Sequence, residues 1–215
     1  MGFSLSWIAV ENANRDAVRK AINACGTGLK SEFPEWEFSD AVLPNGWIVV
    51  VADHQETVVD IGVIRGLSKN NRLISCFVEE HVMISEASLW MEGECVWTIK
   101  HDSSVAIEHL VVSGTPPQQF QDIKQVALDN QRKQQSQQPG VDYFFDVPLA
   151  LARTYCGFKH DESVLNADSN AFEELRITCM SDMRFDAHRL SSNSRRSLMK
   201  ITTEFVRKTF LGRSE

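Results

Sequence analysis

The chain has no apolar run near the ~20 residues that a membrane-spanning helix requires, and its start, MGFSLSWIAV, lacks the basic opening of a secretory signal. A soluble protein with no membrane partner is expected. Cysteine is sparse. Cys25, Cys76, Cys95, Cys156 and Cys179 are an odd number and contain no CxxC pair. This excludes a disulfide framework and a zinc finger, and fits reduced thiols in a cytoplasm. No GxGxxG, GxSxG or HExxH occurs. The run Gly26-Thr27-Gly28-Leu29-Lys30-Ser31 resembles a phosphate loop only in composition. Lys30 does not follow a glycine, and the run closes an expected helix instead of opening one. No metal and no cofactor is therefore expected.

What the chain does have is apolar content, 43% of 215 residues, enough to bury a core without a staple. Its charge is uneven. The net value is −7, yet residues 184–215 carry eight Lys/Arg against three Asp/Glu, a local +5 that leaves −12 on residues 1–183. An acidic body repels nucleic acid and anionic membranes.

Residues 73–112 read as a β-meander. Leu73–Glu80, Val82–Met91, Cys95–His101 and Val105–Val112 are the expected strands, with Glu92-Gly93 and Asp102-Ser103-Ser104 as turns. A strand at Phe3–Val10, a helix capped by Asn14 and closed by Gly26, a strand at Trp47–Ala52 and a helix at about 56–68 precede it. Residues 27–45 read as a long irregular connection. The expected fold is α+β: β-α-β-α and then a four-stranded meander, a mixed or antiparallel sheet with helices packed on one face and a C-terminal helical appendage.

Thr115-Pro116 opens a further helix that runs into the Gln-rich stretch QRKQQSQQPG. The expected organisation is a sheet domain over 1–130, a linker over 131–140, and a helical or mixed segment over 141–215 packed on the first domain. In that last segment a helix starts at Asp146 and ends before Gly157, a strand spans Phe172–Met180, and an amphipathic helix covers 195–210.

The chemistry-bearing neighbours are carboxylate–imidazole pairs. Glu80, His81, His101 and Asp102 are the candidate catalytic residues, because a hydrolase needs an acid or base beside a nucleophile or bound water. No ligand spacing accompanies them. Placing Thr98 opposite His109 puts His109 and His101 on opposite sheet faces, which disperses the imidazoles. Strand pairing around Glu92-Gly93 sets Trp90 opposite Cys95 and beside Trp97 on one face. Cys156 ends a helix, where the dipole disfavours a thiolate. Trp36, in a loop, and Arg195, Arg196, Lys200, Arg207 and Lys208, on the basic helix, are the candidate interaction residues.

SWIAV near the start, PNGW at 44–47, EEHVM at 79–83, VWTIKHD at 96–102 and DYFFDVPLALA at 142–152 together resemble a group of uncharacterised bacterial proteins over residues 1–165. The resemblance implies a bacterial, cytoplasmic domain and lends no catalytic residue. The functional expectation is a non-enzymatic protein-interaction module, immunity-like or regulatory, whose partner is another protein or a second copy. A small metal-dependent or carboxylate/His hydrolase is the alternative, and nucleic-acid binding through the basic helix is the third reading.

Overall fold

The computed structural model describes residues 2–54, 58–135, 140–164 and 170–177. Nine strands form one fully antiparallel sheet, accompanied by four helices. In chain order they are β1 (Ser4–Val10), α1 (Arg15–Ala21), β2 (Ala24–Ser31), β3 (Phe38–Val42), β4 (Ile48–Asp53), α2 (Ile61–Leu67) and β5 (Leu73–Glu79). There follow β6 (Ile84–Met91), β7 (Glu94–Asp102), β8 (Leu110–Gly114), α3 (Gln119–Gln135), α4 (Asp146–Cys156) and β9 (Phe172–Ile177). Across the sheet the order is β2-β9-β3-β4-β1-β5-β6-β7-β8.

The helices do not share one face, contrary to expectation. Alternation along β1 explains why. Leu5, Trp7 and Ala9 join one core with α3 and α4, while Ile8 and Val10 join a second core with α1 and α2. β4 divides in the same way, with Val49 and Val51 in the first core and Ile48, Val50 and Ala52 in the second. Strands this apolar on both sides leave oily surface in water unless both faces are covered. The first core carries most of the large buried side chains, including Trp7, Trp97, Phe144, Leu149 and Leu151.

Residues 27–45 are not one irregular connection, since 27–31 belong to β2 and 38–42 are β3. Their apolar pattern is too thin to read as strand, yet β2 and β3 both form because β9, from far along the chain, inserts between them. Gly26 is a strand glycine and not a helix terminator. A Cβ there would sit 2.1 Å from Glu173 Oε1 and 2.5 Å from Arg19 Nη1, so a larger residue would push those two side-chain ends aside. Asn14 does cap α1, its Oδ1 accepting from Ala17 N at 3.1 Å, and Asp60 caps α2 in the same manner.

The meander differs from expectation at its last hairpin. β8 starts at Leu110, not Val105, and Thr98 pairs with Ser113, not His109. The connection over 103–109 is longer because Asp102 Oδ1 accepts from Ser104 N and Oγ, tying a turn that delays the return of the chain. Trp90 and Trp97 also part company. A register shift after Leu89 places Trp97 in the α3/α4 core and Trp90 in the α1/α2 core. At the end of β8, Gly114 has φ +74° and passes so close to β7 that a Cβ would lie 2.1 Å from the Val96 carbonyl oxygen.

α4 packs across β5, β6 and β7, and α3 packs on α4. The expected helix over 195–210, and Arg195, Arg196, Lys200, Arg207 and Lys208 with it, lie outside the described residues. Among the described residues, no helix is long and apolar enough to cross a membrane.

Candidate functional site

The four candidate catalytic residues each have a different partner. His101, on β7, points into the α3/α4 core and is fully buried. Its Nε2 lies 2.8 Å from Asp142 Oδ2, and its Nδ1 lies 2.8 Å from the His109 carbonyl oxygen. The imidazole therefore bridges the β7–β8 connection and the chain entering α4. Asp142 Oδ1 in turn accepts from Phe144 N at 2.9 Å and Phe145 N at 3.1 Å. The group is a structural clasp, closed on every side. Asp102, one residue further on, alternates to the opposite face and spends its carboxylate on Ser104.

Glu80 follows β5. Its Oε2 accepts from Phe3 N at 2.9 Å, and its Oε1 lies 3.3 Å from Nε2 of His160. His160 is buried, stands edge-on to Phe3 with ring centroids 5.1 Å apart, and leaves Nδ1 without a hydrogen bond among the described residues. His81 is exposed and pairs with Glu79, with Nδ1 2.8 Å from Oε1. Ser4 Oγ, and next the His81 ring, hold the Glu79 carboxyl below its ordinary value. No group of three or more His, Cys, Asp or Glu side chains capable of holding a metal occurs among the described residues.

A thiol nucleophile is disfavoured as well. Cys156 ends α4 with its sulfur facing the Ala152 carbonyl oxygen at 3.4 Å, and burial pushes its thiol up to about 12. Cys76 is likewise buried and pushed well up. Cys25 and Cys95 are exposed, though partial burial raises the Cys95 thiol, which also shares a hydrogen bond with Thr98. Among the described cysteines, iodoacetamide is therefore expected to modify Cys25 first and Cys95 more slowly in the native chain, while Cys76 and Cys156 react only after unfolding. Peptide mapping by mass spectrometry reads each position separately.

The densest charge cluster was not legible as such in the sequence. Asp40 on β3 is fully buried, and both Arg15 and Arg19 of α1 reach it. Arg19 Nε and Nη2 lie 2.7 and 2.8 Å from its two oxygens, and Arg15 Nε and Nη2 lie at 2.9 and 2.6 Å. Glu173 on β9 takes Arg19 Nη2 at 2.9 Å and the Gly28 amide at 3.1 Å. Burial pushes the Asp40 carboxyl up, but the hydrogen bonds of Arg19 and Arg15 outweigh it and hold the group below its ordinary value. The i,i+4 spacing of the two arginines was the only sequence signal. Nothing in the sequence paired them with Asp40.

The chain matches no known family model, no curated protein and no solved structure. What it can do must therefore be read from its own surface. Among the described residues, β8 closes one end of the sheet and pairs only with β7. Four of its five residues, Val111 to Gly114, are exposed. Val111 is 44% and Val112 42% exposed, and Val105 (64%) and Ile107 (39%) extend the apolar strip into the preceding connection. Trp36, by contrast, is half-buried between β2 and β3.

Proposed function

We propose that this protein is a non-enzymatic interaction module, of the immunity-like or regulatory kind, that engages another protein at the β8 edge. One observation carries the reading. β8 is an edge strand of apolar residues with no charge and no proline, the devices by which edges are ordinarily kept from pairing. An extended segment of a partner can add to such an edge, taking affinity from main-chain hydrogen bonds and specificity from alternate side chains. The partner's segment is β-branched or aromatic where it meets Val111 and Val112. It carries basic flanks, because the body it approaches is acidic, −12 over residues 1–183. The hydrogen bonding of His101 to Asp142 and the His109 carbonyl, and the engagement of Glu80, His81 and Asp102 each with a different partner, favour this reading over the hydrolase.

A photo-crosslinking residue placed at Val112, with Lys20 on α1 as control, tests it in cells. The expected result is an adduct from position 112 alone, joined to an apolar segment with basic neighbours. The purified partner should then bind the Val111→Lys/Val112→Lys variant at least about tenfold more weakly. A partner that binds this variant as tightly as the parent contradicts the β8 assignment, and an adduct to a second copy replaces the partner with a homodimer.

A further inference from the structure

On the face covered by α1 and α2, helix cover stops short of β6, leaving a cleft of about 200 Å³ between α2 and the sheet. Ile8, Ile61, Ile64 and Trp90 form its apolar walls. Register fixes the floor. Ser6 pairs with Phe77 and Phe77 with Glu86, so Ser6 and Glu86 lie on one face at opposite sides of the Phe77 ring. Two strand spacings separate their backbones by roughly 10 Å.

The polar groups here are unevenly satisfied. Ser75 Oγ accepts from Trp90 Nε1 at 3.1 Å, and Ser88 Oγ lies 2.8 Å from Thr98 Oγ1. Ser6 is 2% exposed and lines the cleft, yet its Oγ has no hydrogen-bond partner among the described residues. A buried hydroxyl left unbonded is costly, and such a group in a cavity wall marks a position that a ligand can fill. The Glu86 side chain is half-buried, and its carboxyl makes no hydrogen bond to another described residue. Lys100 stands directly opposite it on β7 without closing to an ion pair. Burial pushes the Glu86 carboxyl above its ordinary value, against the weaker opposing pull of Lys100.

We infer that this cleft binds a small organic amine whose ammonium pairs with Glu86, whose ring-sized apolar body lies over Phe77 against Ile64 and Trp90, and whose far end carries a polar group bonded to Ser6. A cation is the complement of a carboxyl that lacks a partner in a low-dielectric wall. A dry cavity of about 150 Å³ admits benzene, so the volume suits a body of that size. The site is separate from the β8 edge and stands without it.

Tyramine is the probe, with 4-ethylphenol (no amine) and phenethylamine (no hydroxyl) as its controls, followed by amide and indole chemical shifts of the full chain. The expected result is saturable shifts confined to Ser6, Phe77, Glu86 and Trp90. 4-Ethylphenol should bind at least about tenfold more weakly, phenethylamine a few-fold more weakly, and Glu86→Gln should lower tyramine affinity at least about tenfold. The isosteric Glu86→Gln change is accompanied by Ser6→Ala, which should remove the difference between tyramine and phenethylamine. Absence of shifts in the cleft at millimolar tyramine overturns the inference. Equal affinity of Glu86→Gln, or of 4-ethylphenol, overturns it also.

Discussion

Replacing Arg15 and Arg19 together by methionine is expected to cost about 3–5 kcal/mol of stability, measured by urea unfolding at neutral pH. The loss comes from Asp40 rather than from the arginines. Both guanidinium groups are partly exposed, at 25% and 14%, whereas the Asp40 side chain is at 0%. Without them a carboxylate stays buried with no counter-charge. Adding Asp40→Leu to the double variant should recover much of the loss, since an apolar residue of similar volume removes the orphaned charge. The pH dependence should reverse as well. In the parent protein the Asp40 carboxyl sits below its ordinary value of 3.8. The unfolded chain therefore binds the proton first, and this contribution to stability, complete above the ordinary value, is lost as pH falls through the depressed one. In the double variant only burial remains, the group is raised, and the folded state binds the proton first. Acidification through the ordinary carboxylate range should then stabilise the variant relative to the parent.

Asp142→Ala is expected to cost about 3–5 kcal/mol too, by a different route. One carboxylate serves three donors: His101 Nε2, Phe144 N and Phe145 N. Removing it strands a fully buried imidazole and two amides at the entrance to α4. That entrance is further tied to the sheet by Ser85 Oγ, which donates to the Phe145 carbonyl oxygen at 2.6 Å. Asp142→Asn keeps an acceptor for the amides and should cost only about 1–2 kcal/mol. Thermal unfolding followed by near-UV circular dichroism checks both, because Trp97 and Tyr155 pack together under the same helix. Equal losses from Ala and Asn would mean that the carboxylate charge, not the amide acceptor, holds the segment.

The strands legible in the sequence were those whose side chains alternate or run apolar: β1, β4, β5, β6 and β7, and also β9, expected over Phe172–Met180 and found at Phe172–Ile177. Each owes its formation to its own burial pattern, which a local reading sees. β2 and β3 escaped notice because their stability depends on β9, more than a hundred residues downstream, and on a two-arginine network with Asp40. Neither is visible in a window. The start of β8 was misplaced because Asp102 capping Ser104 lengthens a connection that composition alone reads as two residues. Candidate site residues fared similarly. His101 was singled out as a candidate catalytic residue, but its partner Asp142 lies forty-one positions on and is recruited by packing of α4. His160 meets Glu80 across eighty positions for the same reason. Spacing cannot carry such pairs, since they exist only once both faces of the sheet are covered.

Amide hydrogen exchange across β8 distinguishes a partner-binding edge from an idle one. In the isolated chain, part of the Val111–Ser113 backbone should exchange quickly, as the outer side of an open edge does, while β7 beneath it stays protected. Adding the partner captured from position 112 should slow β8 selectively. Unchanged β8 exchange in a demonstrated complex, with protection appearing elsewhere, would contradict the proposal that this edge is where the protein does its work.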